Sequence, residues 1–151
     1  VKKIDIAAAP TRRGSAYPPP YDAPCADRFR RRLGEAGGLT AFGVNHLTLA
    51  PGVWSSQRHW HSREDEFVWV VSGEVVLITN AGEEILRAGD CAAFKAGDAD
   101  GHHIVNRSGH DAVLLEVGNR DENDRTVYAD IDMVAEPHED IYRRKDGTPL
   151  P

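Results

Sequence analysis

Two histidines one residue apart, His59 and His61, followed by Glu66 and bracketed by Gly52 and Gly73, constrain this chain more than any other feature. In an extended strand, residues i and i+2 share a face and stand roughly 6.5 Å apart. His59 and His61 therefore lean toward a common point, while Trp60 between them points the other way. Glu66 lies five residues beyond His61, which on one continuous strand would put it on the opposite face. A turn over Ser62, Arg63, Glu64 and Asp65 removes the conflict, because a new strand beginning at Glu66 can fold back beside the first. Three donors suited to a metal ion then converge from neighbouring strands.

The rest of the chain agrees with a β-rich frame. From Leu39 onward, short β-like runs are separated by turn residues, near 40–50, 53–61, 66–72, 74–79, 83–87, 91–94, 102–106 and 112–118. Asn80-Ala81-Gly82, Ser72-Gly73 and Ala88-Gly89-Asp90 read as hairpin turns. Short strands with frequent turns predict an all-β sandwich or barrel, and 151 residues suffice for one domain with a real core. Ahead of it, residues 1–24 are rich in Ala, Pro and Arg, and Pro18-Pro19-Pro20 forces an extended arm lying on the body or on a partner subunit. Residues 25–34 read as a short helix capped by Asp27 and closed by Gly37-Gly38. Residues 119–125 form a polar loop, 126–134 read as one more strand with Asp130 and Asp132 on one face, and 136–151 as a charged wrap-around tail. The expected division is arm and helix over 1–38, barrel core over 39–118, and C-terminal strand and tail over 119–151.

A second block supplies a fourth donor: Gly89, Gly97, His102, His103 and Asn106. If 102–106 is a strand, His102, Ile104 and Asn106 share one face, and His103 and Val105 the other. Hydrophobic alternation does not choose between the two histidines, since Ile104 and Val105 are both apolar. His102 is preferred because Asn106 shares its face; His103 remains the alternative.

The two blocks together resemble the paired signature motifs of the cupin superfamily. Gly52, His59, His61, Glu66 and Gly73 match the first, with one extra residue between Gly52 and His59. Gly89, Gly97, His102 and Asn106 match the second, although Lys95 stands where the family usually has Pro and the gap from Gly97 to His102 is long. The resemblance covers roughly residues 40–118. It implies a small jelly-roll barrel, the double-stranded β-helix of RmlC-like proteins, with one divalent metal held by His59, His61, Glu66 and His102. It also implies a homodimer in which outer strands or the arm pack on the partner.

Three imidazoles and a carboxylate accept Fe(II), Mn(II), Zn(II), Ni(II) or Co(II) and leave positions open. The expected function is a metal-dependent enzyme of dioxygenase or isomerase type acting on a small oxygen-rich molecule. The alternative is a non-catalytic barrel that binds or senses a small ligand. Gln57 and Ser55 share the parity of the histidine pair and, with Asn106, are candidate pocket residues. No inward cation can be assigned on the proposed strands, which argues against a phosphate-bearing substrate. Glu64 and Asp65 read as solvated loop carboxylates, His46 as structural, and His110 and His138 as turn residues without a role. Trp54, Trp60 and Trp69 could stack on a substrate, but Trp60 and Trp69 point off the ligand face and are assigned to the core or a subunit interface.

A net charge of −6 argues against nucleic acid as a partner. The cluster Arg28, Arg30, Arg31, Arg32 reads as a solvated helix face. No apolar run reaches the length of a membrane span, and the absence of a signal-peptide core points to the cytoplasm. Val1 cannot be a natural initiator, so the chain is expected to begin after a trimmed or processed end. Cys25 and Cys91 fit no metal or redox spacing and are expected to be reduced, with Cys91 buried and inert.

Overall fold

Strand alternation builds the frame of the computed structural model, which describes residues 3–150; residues 1, 2 and 151 of the expected arm and tail lie outside it. β1 (Thr11–Arg13), β2 (Phe29–Arg32), β3 (Phe42–Leu49), β10 (Ala112–Asn119), β5 (Glu66–Ser72) and β8 (Cys91–Phe94) form a six-stranded sheet in that order. A second sheet joins β13 (Tyr142–Arg143), β12 (Val134–Ala135), β11 (Thr126–Tyr128) and β4 (His59–His61). The third joins β7 (Gly82–Arg87), β6 (Glu74–Thr79) and β9 (His103–Val105). Every pairing among these strands is antiparallel, and no sheet is closed among the described residues, so the molecule is a jelly-roll β-sandwich.

Register explains why one end of the sandwich is solid and the other hollow. Leu47 on β3 faces Leu114 on β10, which faces Val70 on β5, and these fully buried side chains belong to the apolar core with Leu49, Val75, Leu77 and Ile104. Four residues along, the same face carries Gly43, Gly118 and Glu66 in one cross-strand row. The inner face thus changes from branched aliphatics to glycine and carboxylate within one strand length. A Cβ on Gly118 would come 3.1 Å from the Asp65 carbonyl oxygen, closer than ordinary contact. The missing side chains leave a cavity where the core would otherwise continue.

Several local expectations change. Residues 25–34 are not a helix: a 3-10 turn (Ala23–Cys25) leads into β2, and only α1 (Leu33–Ala36) is helical. The reason is tertiary, because β2 is held between β1 and β3, with Arg30 opposite both Arg12 and Leu47. The arginine cluster therefore faces alternate sides of a strand rather than one solvated helix face, and Arg28 is buried. Asn80-Ala81 makes a tight hairpin between Thr79 and Gly82. Ser72-Gly73 and Ala88-Gly89-Asp90 do not; they carry the chain between sheets. Gly73 sits at φ 83°, and a Cβ there would lie 2.9 Å from Ala112 Cα. The run 53–61 is extended into a ladder only at β4, aided by an isolated bridge from Trp54 to Val105. The run 126–134 breaks into β11 and β12, so Asp130 and Asp132 do not share a strand face. Asp130 instead pairs with Arg58, and Asp132 accepts from the Lys145 amide.

Both cysteines are free; Cys25 is buried, but Cys91 is exposed, because it lies on the outer face of the edge strand β8 opposite Trp69. Trp69 is likewise exposed rather than in the core. No helix among the described residues is long and apolar enough to cross a membrane.

Candidate metal centre and cavity

The three imidazoles meet because β4 is paired on both sides. His59 and His102 form an isolated backbone bridge, with each amide donating to the other's carbonyl at 3.1 and 2.8 Å. On the other edge, Thr126, Val127 and Tyr128 of β11 face His61, Trp60 and His59. Glu66 opens β5 and faces Phe94 of β8, whose ring stacks flat on His102 at 3.5 Å between centroids. The Glu66 carboxylate is thus brought in from the opposite sheet. Its Oε2 lies 3.5 Å from His59 Nε2, 3.6 Å from His61 Nε2 and 2.9 Å from His102 Nε2.

The donor set fits a divalent cation, and the hydrogen bonds on the far sides of the rings show why. His59 Nδ1 lies 2.9 Å from the Gln57 carbonyl oxygen, which can only accept. His61 Nδ1 lies 2.6 Å from Asp124 Oδ2. Both Nδ1 atoms therefore carry the proton, and both Nε2 lone pairs are left pointing at Glu66. His102 is different: its Nδ1 is buried with no partner, and its one ring hydrogen bond runs from Nε2 to the Glu66 carboxylate, so Nε2 carries the proton that a bound ion would displace. His59, His61 and Glu66 offer ligand atoms all within 4.8 Å of one another, and His102 reaches the same Glu66 oxygen.

Electrostatics support this. Burial by itself would raise the Glu66 carboxyl, but contacts with His102, His59 and His61 hold it well below the usual carboxylate range. Burial pushes the His102 ring below the ordinary imidazole value, despite its bond to Glu66, and so favours the neutral form. Burial also raises Asp124, yet hydrogen bonds from His61, the Arg63 amide and Ser62 outweigh it and keep the group ionised.

His103 does not enter the cavity. Its Nδ1 lies 3.1 Å from the Ser56 carbonyl oxygen, and its ring meets Trp54 edge-on at 4.6 Å. Ser55 lines the cavity and accepts the Ile104 amide through Oγ. Gln57 and Asn106 are placed elsewhere: Gln57 donates to the Tyr21 carbonyl, and fully buried Asn106 donates to Leu49 and His110 carbonyls, clamping a loop. Glu64 is not a solvated loop carboxylate but half-buried in the cavity wall, where burial raises its carboxyl and the Asp121 amide bonds to it.

The cavity measures about 380 Å³. Its walls include Arg12, Arg28, Arg30 and Arg120, which corrects the expectation that no cation faces inward. Those arginines come from the arm, from the segment 25–34 expected to be a helix, and from the loop after β10, so strand parity in the barrel motifs could not reveal them. Arg30 is neutralised by a two-pronged pair with Glu116 at 2.7 and 2.8 Å. Arg28 bonds to the Gly14 and Ser55 carbonyls. Asp124 was equally hidden, since it lies 63 residues from His61 in a loop with no motif spacing. Three tyrosines, Tyr17, Tyr128 and Tyr142, pack with centroids 5.5 to 6.0 Å apart and close the wall where arm and tail meet.

A family model described as "Cupin domain" matches residues 45–118. A Silicibacter pomeroyi structure, described as a sugar phosphate isomerase from a cupin superfamily, is 44% identical with a TM-score of 0.94, the match covering 99% of this chain and 97% of that one. An Acidithiobacillus ferrooxidans structure, provisionally named a sugar phosphate isomerase, is 29% identical with a TM-score of 0.70, over 83% of this chain and 75% of that one. A predicted oxalate decarboxylase from Thermotoga maritima is 21% identical with a TM-score of 0.61, over 78% and 98% of the two chains, and shares the fold. No curated protein sequence matches the chain.

Proposed function

The chain belongs to the cupin superfamily, and on that premise we propose that it is a metal-dependent enzyme of isomerase type acting on a small, oxygen-rich, sugar-like molecule. The observation that carries this reading is the convergence of three imidazole nitrogens on the Glu66 carboxylate at the inner end of a 380 Å³ cavity. The Silicibacter pomeroyi relative, alike over nearly its whole length, supports the isomerase class over oxygen chemistry. A divalent ion held by His59, His61, Glu66 and His102 would act as a Lewis acid on a chelated carbonyl or hydroxyl oxygen.

The chain's own residues do the rest. Gln57 and Asp124 fix the ring orientations of His59 and His61. Phe94, packed flat on His102, excludes water from that side of the donors. Glu64 is the cavity carboxylate outside the donor set and unpaired with any arginine or lysine among the described residues, and it is the group placed to carry a proton between neighbouring carbons.

The working unit is a homodimer built on the outer face of the six-stranded sheet. Phe67, Trp69 and Val71 alternate along β5 on that face with exposures of 38%, 49% and 54%, a contiguous apolar stripe.

The test is to strip the protein with a chelator and reload it separately with Mn, Zn, Co, Ni and Fe(II). Each form is incubated in D2O with a panel of aldoses, ketoses and their phosphates, read by proton NMR. Metal-dependent interconversion with deuterium uptake beside the carbonyl is the expected result. Oxygen uptake by the iron form without interconversion would replace the isomerase with an oxygenase. Ligand binding without turnover for every ion would leave a non-catalytic barrel.

A further inference from the structure

The cavity carries more positive charge than its own carboxylates neutralise. Of its four arginines only Arg30 has an acidic partner, Glu116. Arg28 is buried and its hydrogen bonds go to carbonyl oxygens, so its charge is not cancelled by an anion. Arg12 and Arg120 make no ion pair and no side-chain hydrogen bond among the described residues. Both are exposed yet line the cavity, which places them where it opens to solvent. Elsewhere the protein pairs its arginines freely: Arg13, Arg32, Arg58, Arg87, Arg107, Arg125 and Arg143 each hold a carboxylate. Outside the cavity only Arg31, which lies over the Phe29 ring, and Arg63 likewise lack a carboxylate partner among the described residues.

Backbone placement explains how these two reach the site. Arg12 stands opposite Arg30 in the β1–β2 ladder, so the arm adds a cation beside one that is already neutralised. Arg120 follows β10, its amide bonding to the Ala41 carbonyl, and its guanidinium lies over Gly43, 3.6 Å from where a Cβ would stand. A Cβ at Gly43 would meet that guanidinium at ordinary contact distance. Gly43 is in the same cross-strand row as Gly118 and Glu66, and all three line the cavity together with Arg120.

We propose that Arg12 and Arg120 form an anion subsite that binds the phosphate monoester end of the substrate while its oxygen-rich end meets the metal donors. Guanidinium groups suit a phosphate because their planar N–H pairs match its oxygens, and two unpaired cations match a dianion better than a single carboxylate. The proposal rests on the isomerase reading for the identity of the far end, but the subsite itself needs no metal. It makes the arm part of the active site.

The experiment uses the full chain after chelator treatment and follows binding of D-glucitol 6-phosphate, D-glucitol and inorganic phosphate by calorimetry at fixed ionic strength. Wild type is expected to bind the phosphorylated probe at least 10-fold more tightly than glucitol, with inorganic phosphate competing. Arg12→Ala and Arg120→Ala are each expected to weaken the phosphorylated probe about 10-fold or more, the loss of one charge-assisted hydrogen bond. Arg120→Lys should recover only part of that, and thermal melts of all variants should match wild type because both residues are exposed. Equal binding of the two glucitol probes, or a double variant that binds phosphate like wild type, overturns the subsite. If arginine-dependent phosphate binding holds but no metal form isomerises any sugar, the subsite stands and the isomerase reading falls. If isomerisation occurs equally well with unphosphorylated sugars, the reverse follows.

Discussion

Asp124 Oδ2 lies 2.6 Å from His61 Nδ1, joining a loop after the last core strand to the first histidine pair of the sequence. Ser62 Oγ and the Arg63 amide also donate to Asp124, so its carboxylate is anchored by His61 at the end of β4 and by two groups of the turn that follows. This one contact fixes the tautomer of His61, its ring plane and the position of the 119–125 loop.

Asp124→Ala should therefore weaken metal binding about 10–100-fold, the usual cost of losing a carboxylate behind a ligating histidine. Asp124→Asn keeps an acceptor but not the charge and should fall between the two. Competition against a chelating dye measures both, and wild-type affinity in Asp124→Ala would show that the contact does not orient the ligand.

His102 and His103 are neighbours with opposite surroundings, one facing Glu66 and the other the Ser56 carbonyl. His102→Ala should lower metal stoichiometry or affinity with the fold intact. His103→Ala should keep the metal but unfold at lower denaturant, since it empties a buried site against Trp54. Elemental analysis with urea titration separates the two, and a full metal complement in His102→Ala would remove it from the donor set.

Protons compete with metal for imidazole nitrogens, so affinity should fall as pH drops below about 6, near the ordinary histidine range. Glu66, held well below the usual carboxylate range, stays ionised through that window and does not set it. His102, pushed down by burial, stays neutral to lower pH than an ordinary histidine and should protonate late. The sign is thus loss of metal on acidification, read by chelator competition from pH 8 to 5 in about half-unit steps. An affinity flat across that range would exclude histidine ligation.

The apolar stripe on β5 leads to a prediction about assembly. Trp69→Arg places a charge among Phe67, Trp69 and Val71 and should shift a dimer toward monomer without lowering monomer stability, because Trp69 is half exposed in the chain alone. Sedimentation velocity over a range of concentrations measures it. A wild type that is monomeric throughout would remove the dimer, and a dimer unmoved by the change would place the interface elsewhere.

Local sequence was a good guide wherever the chemistry is set by short-range spacing. The parity of His59 and His61, the turn at 62–65 and the restart of a strand at Glu66 all follow from the two-residue period of a strand, and they placed three donors together. For the fourth position alternation did not choose; His102 was preferred over His103 because Asn106 shares its face, and His102 is the one that lies against Glu66. It failed at 25–34, where four arginines and a capping aspartate read as helix, because pairing with β1 and β3 outweighs local preference.

What the sequence by itself determined was the all-β frame and the meeting of His59, His61 and Glu66, since both depend on residue type and periodicity within one or two strands. What only the tertiary structure decided was the rest of the cavity: Asp124 behind His61, Glu64 in the wall, and Arg12 and Arg120 at the opening. Those residues come from the arm and from loops, which have no period to read. Their positions follow from backbone pairing between distant segments, such as Arg12 with Arg30 and Thr126 with His61, and that pairing is a property of the folded chain.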